Sequence, residues 1–169
     1  MKLLQLNFLL LFVFIVPVSF AQEADNTAIL KIIFTKYYKN EKVIAKGRLQ
    51  LLSFYCNKAP NNEEVLEVIA GNDFLKKNAP EIKKQIVIGI NEDWSKEYNL
   101  LFDNQNQYLK SKVNNCLSLE EFQKVSEQYG ENNQRLLIVN KPIYFTNSKF
   151  ALVRVAFYRN NEHNSGRFM

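Results

Sequence analysis

Few side chains in this sequence have the type and spacing that chemistry needs. The one histidine, His163, stands beside Glu162 and two residues before Ser165. A histidine acts as a general base near neutral pH when a nucleophile and an orienting group are in reach. The residues around His163 have turn composition instead, and a solvent-exposed turn accounts for them better. Carboxylate pairs occur at Glu92-Asp93 and Glu120-Glu121. Both fall at expected helix starts, where the helix dipole favours anions. Glu63, Glu64 and Glu67 read the same way, as a solvated helix face. Glycosidase carboxylates meet only in space, so a secreted hydrolase with a carboxylate site stands as an alternative. Trp94, Tyr98 and Phe102 could line a carbohydrate or peptide groove, but their helical spacing suits core packing.

The common nucleophile-elbow, zinc-protease, phosphate-loop and dinucleotide motifs do not occur. With five glycines in the chain, a phosphate-cradling loop is hard to build. Two cysteines and one distant histidine lack the short spacing of metal ligands. The sequence therefore assigns no catalytic, cofactor-binding or metal residue. Cys56 and Cys116 are a candidate disulfide, closing a loop for roughly 4 kcal/mol in the chain-entropy model. The alternative is two separate thiols, with Cys56 a small buried residue.

The compartment comes from the N-terminus. Lys2, the apolar run Leu3 to Val16, the helix-breaking Pro17 and the small residues before Gln22 form a secretory signal over residues 1–21. The apolar run is shorter than the roughly 20 residues of a membrane span, so no stable span is expected after cleavage. Residues 22–169 then form one domain in the periplasm or outside the cell. Loss of Lys2 leaves 21 basic and 17 acidic residues, a mild excess. The lysines are interleaved with acids, which argues against a nucleic-acid partner. Lys76, Lys77, Lys83 and Lys84 come nearest to a basic cluster and read as solvated surface.

The elements follow from periodicity. Residues 25–39 predict a helix with Ile29, Ile32, Ile33 and Tyr37 on its apolar face. Arg48 to Cys56 predicts a strand. Asn62 to Ala70 predicts a short helix with Val65, Leu66 and Ile69 inward and Gly71 as its C-terminal cap. Asp73 to Pro80 reads as a polar connection. Ile82 to Ile90 predicts a strand from its β-branched end. Asn91 caps a helix through Phe102. In Ser118 to Tyr129, Ser118 and Glu121 form a capping box, Leu119, Phe122, Val125 and Tyr129 mark the buried face, and Gly130 ends the helix. Arg135 to Tyr158 is the richest strand region. Leu136 to Val139 and Ile143 to Phe145 are strands, and Thr146 to Lys149 has turn composition. Beyond it, Ala151, Val153, Val155 and Phe157 share one face. The fold class is α+β, a mainly antiparallel sheet in the C-terminal half with three to five helices on one face.

Lys141-Pro142-Ile143-Tyr144-Phe145, Phe150-Ala151-Leu152-Val153 and Gly166 resemble a pattern in small secreted proteins of Bacteroidetes-type bacteria. The resemblance covers about 35 residues and implies a fold type and an export route, with no activity attached. In that pattern a closing strand follows the glycine. Here Gly166, Arg167, Phe168 and Met169 open such a strand and the sequence stops, so these residues are the expected interaction edge. The functional expectation is a non-enzymatic exported protein that binds a protein or cell-envelope partner. An inhibitor or immunity-type protein is the other alternative to the hydrolase. The mature exported protein is expected to begin at Gln22 on N-terminal sequencing, and a start at Met1 would rule the signal out.

Overall fold

The computed structural model describes residues 26–45, 50–61, 64–87, 89–103, 105–114, 116–129, 134–159 and 162–168. The signal segment 1–21, the capping residue Gly130, Glu63 and Met169 lie outside the described residues. The fold is α+β, with most of its strands in the C-terminal half. Among the described residues, α1 is 26–37, β1 Leu52–Phe54, α2 Glu64–Ala70, α3 Asp73–Lys77, α4 Ala79–Lys83, α5 Ser95–Phe102, α6 Gln107–Lys110 and α7 Leu119–Tyr129. The later strands are β2 Arg135–Val139, β3 Ile143–Phe145, β4 Phe150–Leu152, β5 Arg154–Arg159 and β6 Glu162–Phe168.

The larger sheet has the order β1-β2-β5-β6, and β3 and β4 form a separate pair. Among the described strands β1 runs parallel to β2, and the other strand pairings are antiparallel. Period-2 alternation explains how one continuous segment serves both sheets. Phe150 to Leu152 pairs with β3, Val153 breaks the ladder, and Arg154 onward pairs with β2 and β6. Val153 and Val155 enter the main core, with Ala151 and Phe157 packed against it. Leu152, on the opposite face, enters a second core with Val65, Ile69, Ile82, Ile143 and Phe145.

The main core is aromatic. Phe34 of α1 meets Phe54 of β1 edge-on at 4.9 Å and lies over Phe102 of α5 at 6.0 Å. Tyr98 stacks on Phe54 at 6.4 Å. Trp94, Tyr98 and Phe102 are thus core residues, and Tyr98 and Phe102 also form part of the wall of a cleft beside α5. The buried stripe of α1 is Leu30, Ile33, Phe34 and Tyr38, so Ile32 is left 61% exposed. The helix is turned from the expected face because the ring cluster draws Phe34 and Tyr38 inward. On the other side of the sheet, Phe122 of α7 meets Tyr158 at 5.9 Å.

Local chemistry places several elements differently from the sequence expectation. Asp73 to Pro80 holds two short helices, with Asn72 Oδ1 accepting from Leu75 N at 3.1 Å and Pro80 in the first turn of α4. Ile82 therefore belongs to α4, and the described part of 84–90 joins no sheet. The edge of β3 nearest to it is already taken. Gln85 receives Tyr144 N on Oε1 at 3.1 Å and donates from Nε2 to Tyr144 O, copying a strand with one side chain. Helix α5 starts at Ser95, whose N–H is capped by Asp93 Oδ1 at 2.9 Å in place of Asn91. At α7 the capping box forms, with Ser118 N to Glu121 Oε2 at 2.7 Å and Glu121 N to Ser118 Oγ at 3.2 Å. Leu66 and Leu119, expected inside, are 41% and 43% exposed.

Val155 is 1% exposed in the central strand. Val155→Asp is expected to unfold the protein, because an unpaired carboxylate there has no partner. Circular dichroism melting checks this; an unchanged transition would refute the face assignment.

Candidate functional site

The sheet has two outer edges, and the chain treats them differently. At β1, Leu117 N donates to Phe54 O at 2.8 Å and Cys56 N donates to Leu117 O at 3.1 Å. Segment 116–118 thus covers the C-terminal end of that edge. The Cys56–Cys116 disulfide, with Cα atoms 4.6 Å apart, fastens the cover in place. At the far side, β6 has β5 as its single neighbour among the described residues.

The direction of its free backbone groups follows from the register. Leu137 O and Val139 O accept from Tyr55 N and Ala59 N, so these residues of β2 turn toward β1. Leu136 and Ile138 turn toward β5, opposite Tyr158 and Ala156. Val155 and Phe157 then face β6, opposite Arg167 and Ser165. That leaves the N–H and C=O groups of Gly166 and Phe168 aimed away from the sheet. Gly166, Arg167 and Phe168 of the expected edge all lie in β6. The strand is longer than sequence reasoning suggested. Glu162, His163, Asn164 and Ser165, read as a turn, belong to it, and the connection from β5 shortens to residues 160–161. Polar side chains hid the strand, because an edge strand has no need of the apolar alternation by which strands are recognised.

The densest polar chemistry lies elsewhere, and sequence reasoning missed it. Lys58 Nζ donates to Glu97 Oε1 at 2.8 Å, with side-chain exposures of 7% and 5%. Asn26 Nδ2 donates to the same oxygen at 3.1 Å, and Tyr144 Oη donates to Asn26 Oδ1 at 2.6 Å. The ammonium also lies 4.9 Å from the centre of the Trp94 ring and 3.6 Å from Glu92 Oε2. Glu92 in turn binds Lys141. That hydrogen bond, with the charges of Lys141 and Lys58, holds the Glu92 carboxyl below its usual range. Its contribution to stability is present above the ordinary carboxyl value and is lost as pH falls below it.

These groups are satisfied by one another. The Glu92-Asp93 pair is divided between lysine binding and capping of α5. Glu120 pairs with Lys124 and Glu121 closes the capping box, so both expected carboxylate pairs have structural employment. Burial pushes the Tyr98 phenol up to about 12 and Tyr38 well above its usual value, which leaves both as neutral groups. A cleft of about 510 Å³ opens between α5 and α6, lined by Tyr98, Phe102, Asn99, Asp103, Gln107 and Lys110 among others; of the three expected groove residues it takes in Tyr98 and Phe102 and leaves out Trp94. No group of three His, Cys, Asp or Glu suited to a metal occurs among the described residues. Among them no helix is long and apolar enough to cross a membrane. Comparison with protein-family models, with curated proteins and with solved structures finds no match to this chain.

Lys58→Met is expected to cost about 3–5 kcal/mol in urea unfolding, because it strands the Glu97 charge. The double variant Lys58→Met/Glu97→Leu should recover most of that loss. A single-variant cost under about 1 kcal/mol would show the pair to be dispensable.

Proposed function

We propose that this chain is a non-enzymatic exported binding protein that engages a protein partner of the cell envelope through the free edge of β6. The supporting observation is the contrast between edges. Leu117 covers β1 and Gln85 covers β3, while β6 offers a seven-residue strand with one neighbour among the described residues. Proteins ordinarily blunt such edges, because unpaired N–H and C=O groups recruit further strands. An extended peptide laid along β6 would pair with Gly166 and Phe168 by main-chain hydrogen bonds, and alternate side chains would give selectivity. Gly166 carries no side chain to obstruct the approach. The satisfied state of the carboxylates supports binding over hydrolysis, and the signal-like segment 1–21 supports a partner outside the cytoplasm.

Proline at position 166 would delete an outward N–H while leaving the bonds of Ser165 and Arg167 to β5 intact. Wild-type protein incubated with envelope extract is expected to retain a partner. Gly166→Pro should retain at least about tenfold less at an unchanged melting temperature. Equal retention by both would defeat the edge reading. Turnover in a hydrolase panel with no protein retained would defeat the binding reading.

A further inference from the structure

A second exposed surface, separate from β6, lies where α3 meets the β3–β4 hairpin. Phe74 and Phe150 are 45% and 48% exposed, large for phenyl rings. They meet edge-on at 5.0 Å, and both rest on the buried Phe145, each 5.8 Å away. The two rings thus form one apolar knob on a core residue. The scaffold beneath is fixed from several sides. Thr146 N donates to Glu81 Oε2 at 2.9 Å, and Thr146 Oγ1 binds Asn78 Oδ1 at 3.1 Å. The hairpin tip holds Thr146, Asn147 and Ser148 with φ of 55°, 55° and 60°, a left-handed run that L-residues adopt only under constraint.

The segments that carry the knob are rich in exposed lysines. Residues 73–84 and 146–150 carry Lys76, Lys77, Lys83, Lys84 and Lys149 against Asp73 and Glu81, a net +3 within a chain of formal +5. Lys77 stands three residues after Phe74 on α3, on the same side of the helix. Lys149 directly precedes Phe150. Both acids are engaged, Asp73 with Lys76 and Glu81 with the hairpin.

The geometry points to an anionic phospholipid surface as the occupant of this face. Phenyl rings have no polar tip to satisfy and enter the acyl boundary readily, while lysine stems reach the headgroup phosphates around them. Each lysine near an anionic surface strengthens binding roughly fivefold. The protein would rest on the membrane by Phe74 and Phe150 without spanning it, which leaves β6 free for a protein partner.

The test is co-sedimentation of the processed, exported protein with vesicles of phosphatidylglycerol and phosphatidylcholine, against phosphatidylcholine alone. Wild type is expected to partition at least about tenfold more strongly onto the anionic vesicles and to be released by 0.5 M salt, where the Debye length falls to about 4 Å. Lys77→Glu/Lys149→Glu and Phe74→Ser/Phe150→Ser should each lower binding at least about tenfold, with melting unchanged. Failure of the wild type on anionic vesicles overturns the proposal. Loss in the lysine variant with full binding by the phenylalanine variant shows mere charge adsorption and also overturns it. Wild-type retention on an immobilised acidic peptide without vesicle binding assigns the face to a protein instead.

Discussion

The Lys58 ammonium and the Glu97 carboxylate are charges that the rest of the structure has to accommodate. Neither has appreciable access to water, so each must find its partners inside the protein. Meeting that demand fixes the relative positions of several elements. Lys58 lies on the segment after β1, Glu97 on α5, Asn26 at the start of α1, and Tyr144 on β3. The backbone repeats the same links. Lys58 N donates to Glu92 O at 2.9 Å, Trp94 N to Cys56 O at 2.8 Å, and Trp94 Nε1 to Val139 O at 3.2 Å. An ion pair of this kind contributes little net stability compared with an apolar replacement. Its geometric consequence is a constraint, because separating these elements would leave a buried charge unmatched.

Edge management is the second constraint. A sheet made of short strands has many ends and edges to satisfy. The chain covers β1 with a disulfide-fastened segment and β3 with a glutamine side chain. The amide of Gln85 supplies one donor and one acceptor at the spacing of a peptide group, so a single residue replaces a strand. The same device explains why the β-branched residues after Gln85 make no sheet. Against this background β6 is the longest strand with a single neighbour among the described residues, and in the proposed function that edge carries the binding.

Much of the fold was legible because local physics dictated it. The capping box of Ser118 and Glu121 is a contact between residues three apart, and it formed as read. The alternation of Ala151, Val153, Val155 and Phe157 correctly marked the main-core face, since side chains on one strand have no freedom to change sides. The turn Thr146 to Lys149 was equally plain in composition. Helix faces were read less well. Ile32 and Leu66 are as apolar as their buried neighbours yet stand exposed, and on α1 it is the ring cluster around Phe34 that takes the inward position.

By itself, the sequence determined the α+β class, the capped helix α7, the hairpin and the core face of β5, all set by contacts between near neighbours. Tertiary structure alone decided which edge stayed open, which lysine and glutamate were buried together, and where two half-exposed phenylalanines met. Those outcomes join residues far apart in the chain: Lys58 and Glu97 are 39 residues apart, and Gln85 and Tyr144 are 59 apart. No periodicity records such pairings. A lysine followed much later by a glutamate reads as ordinary surface until folding removes the water from both.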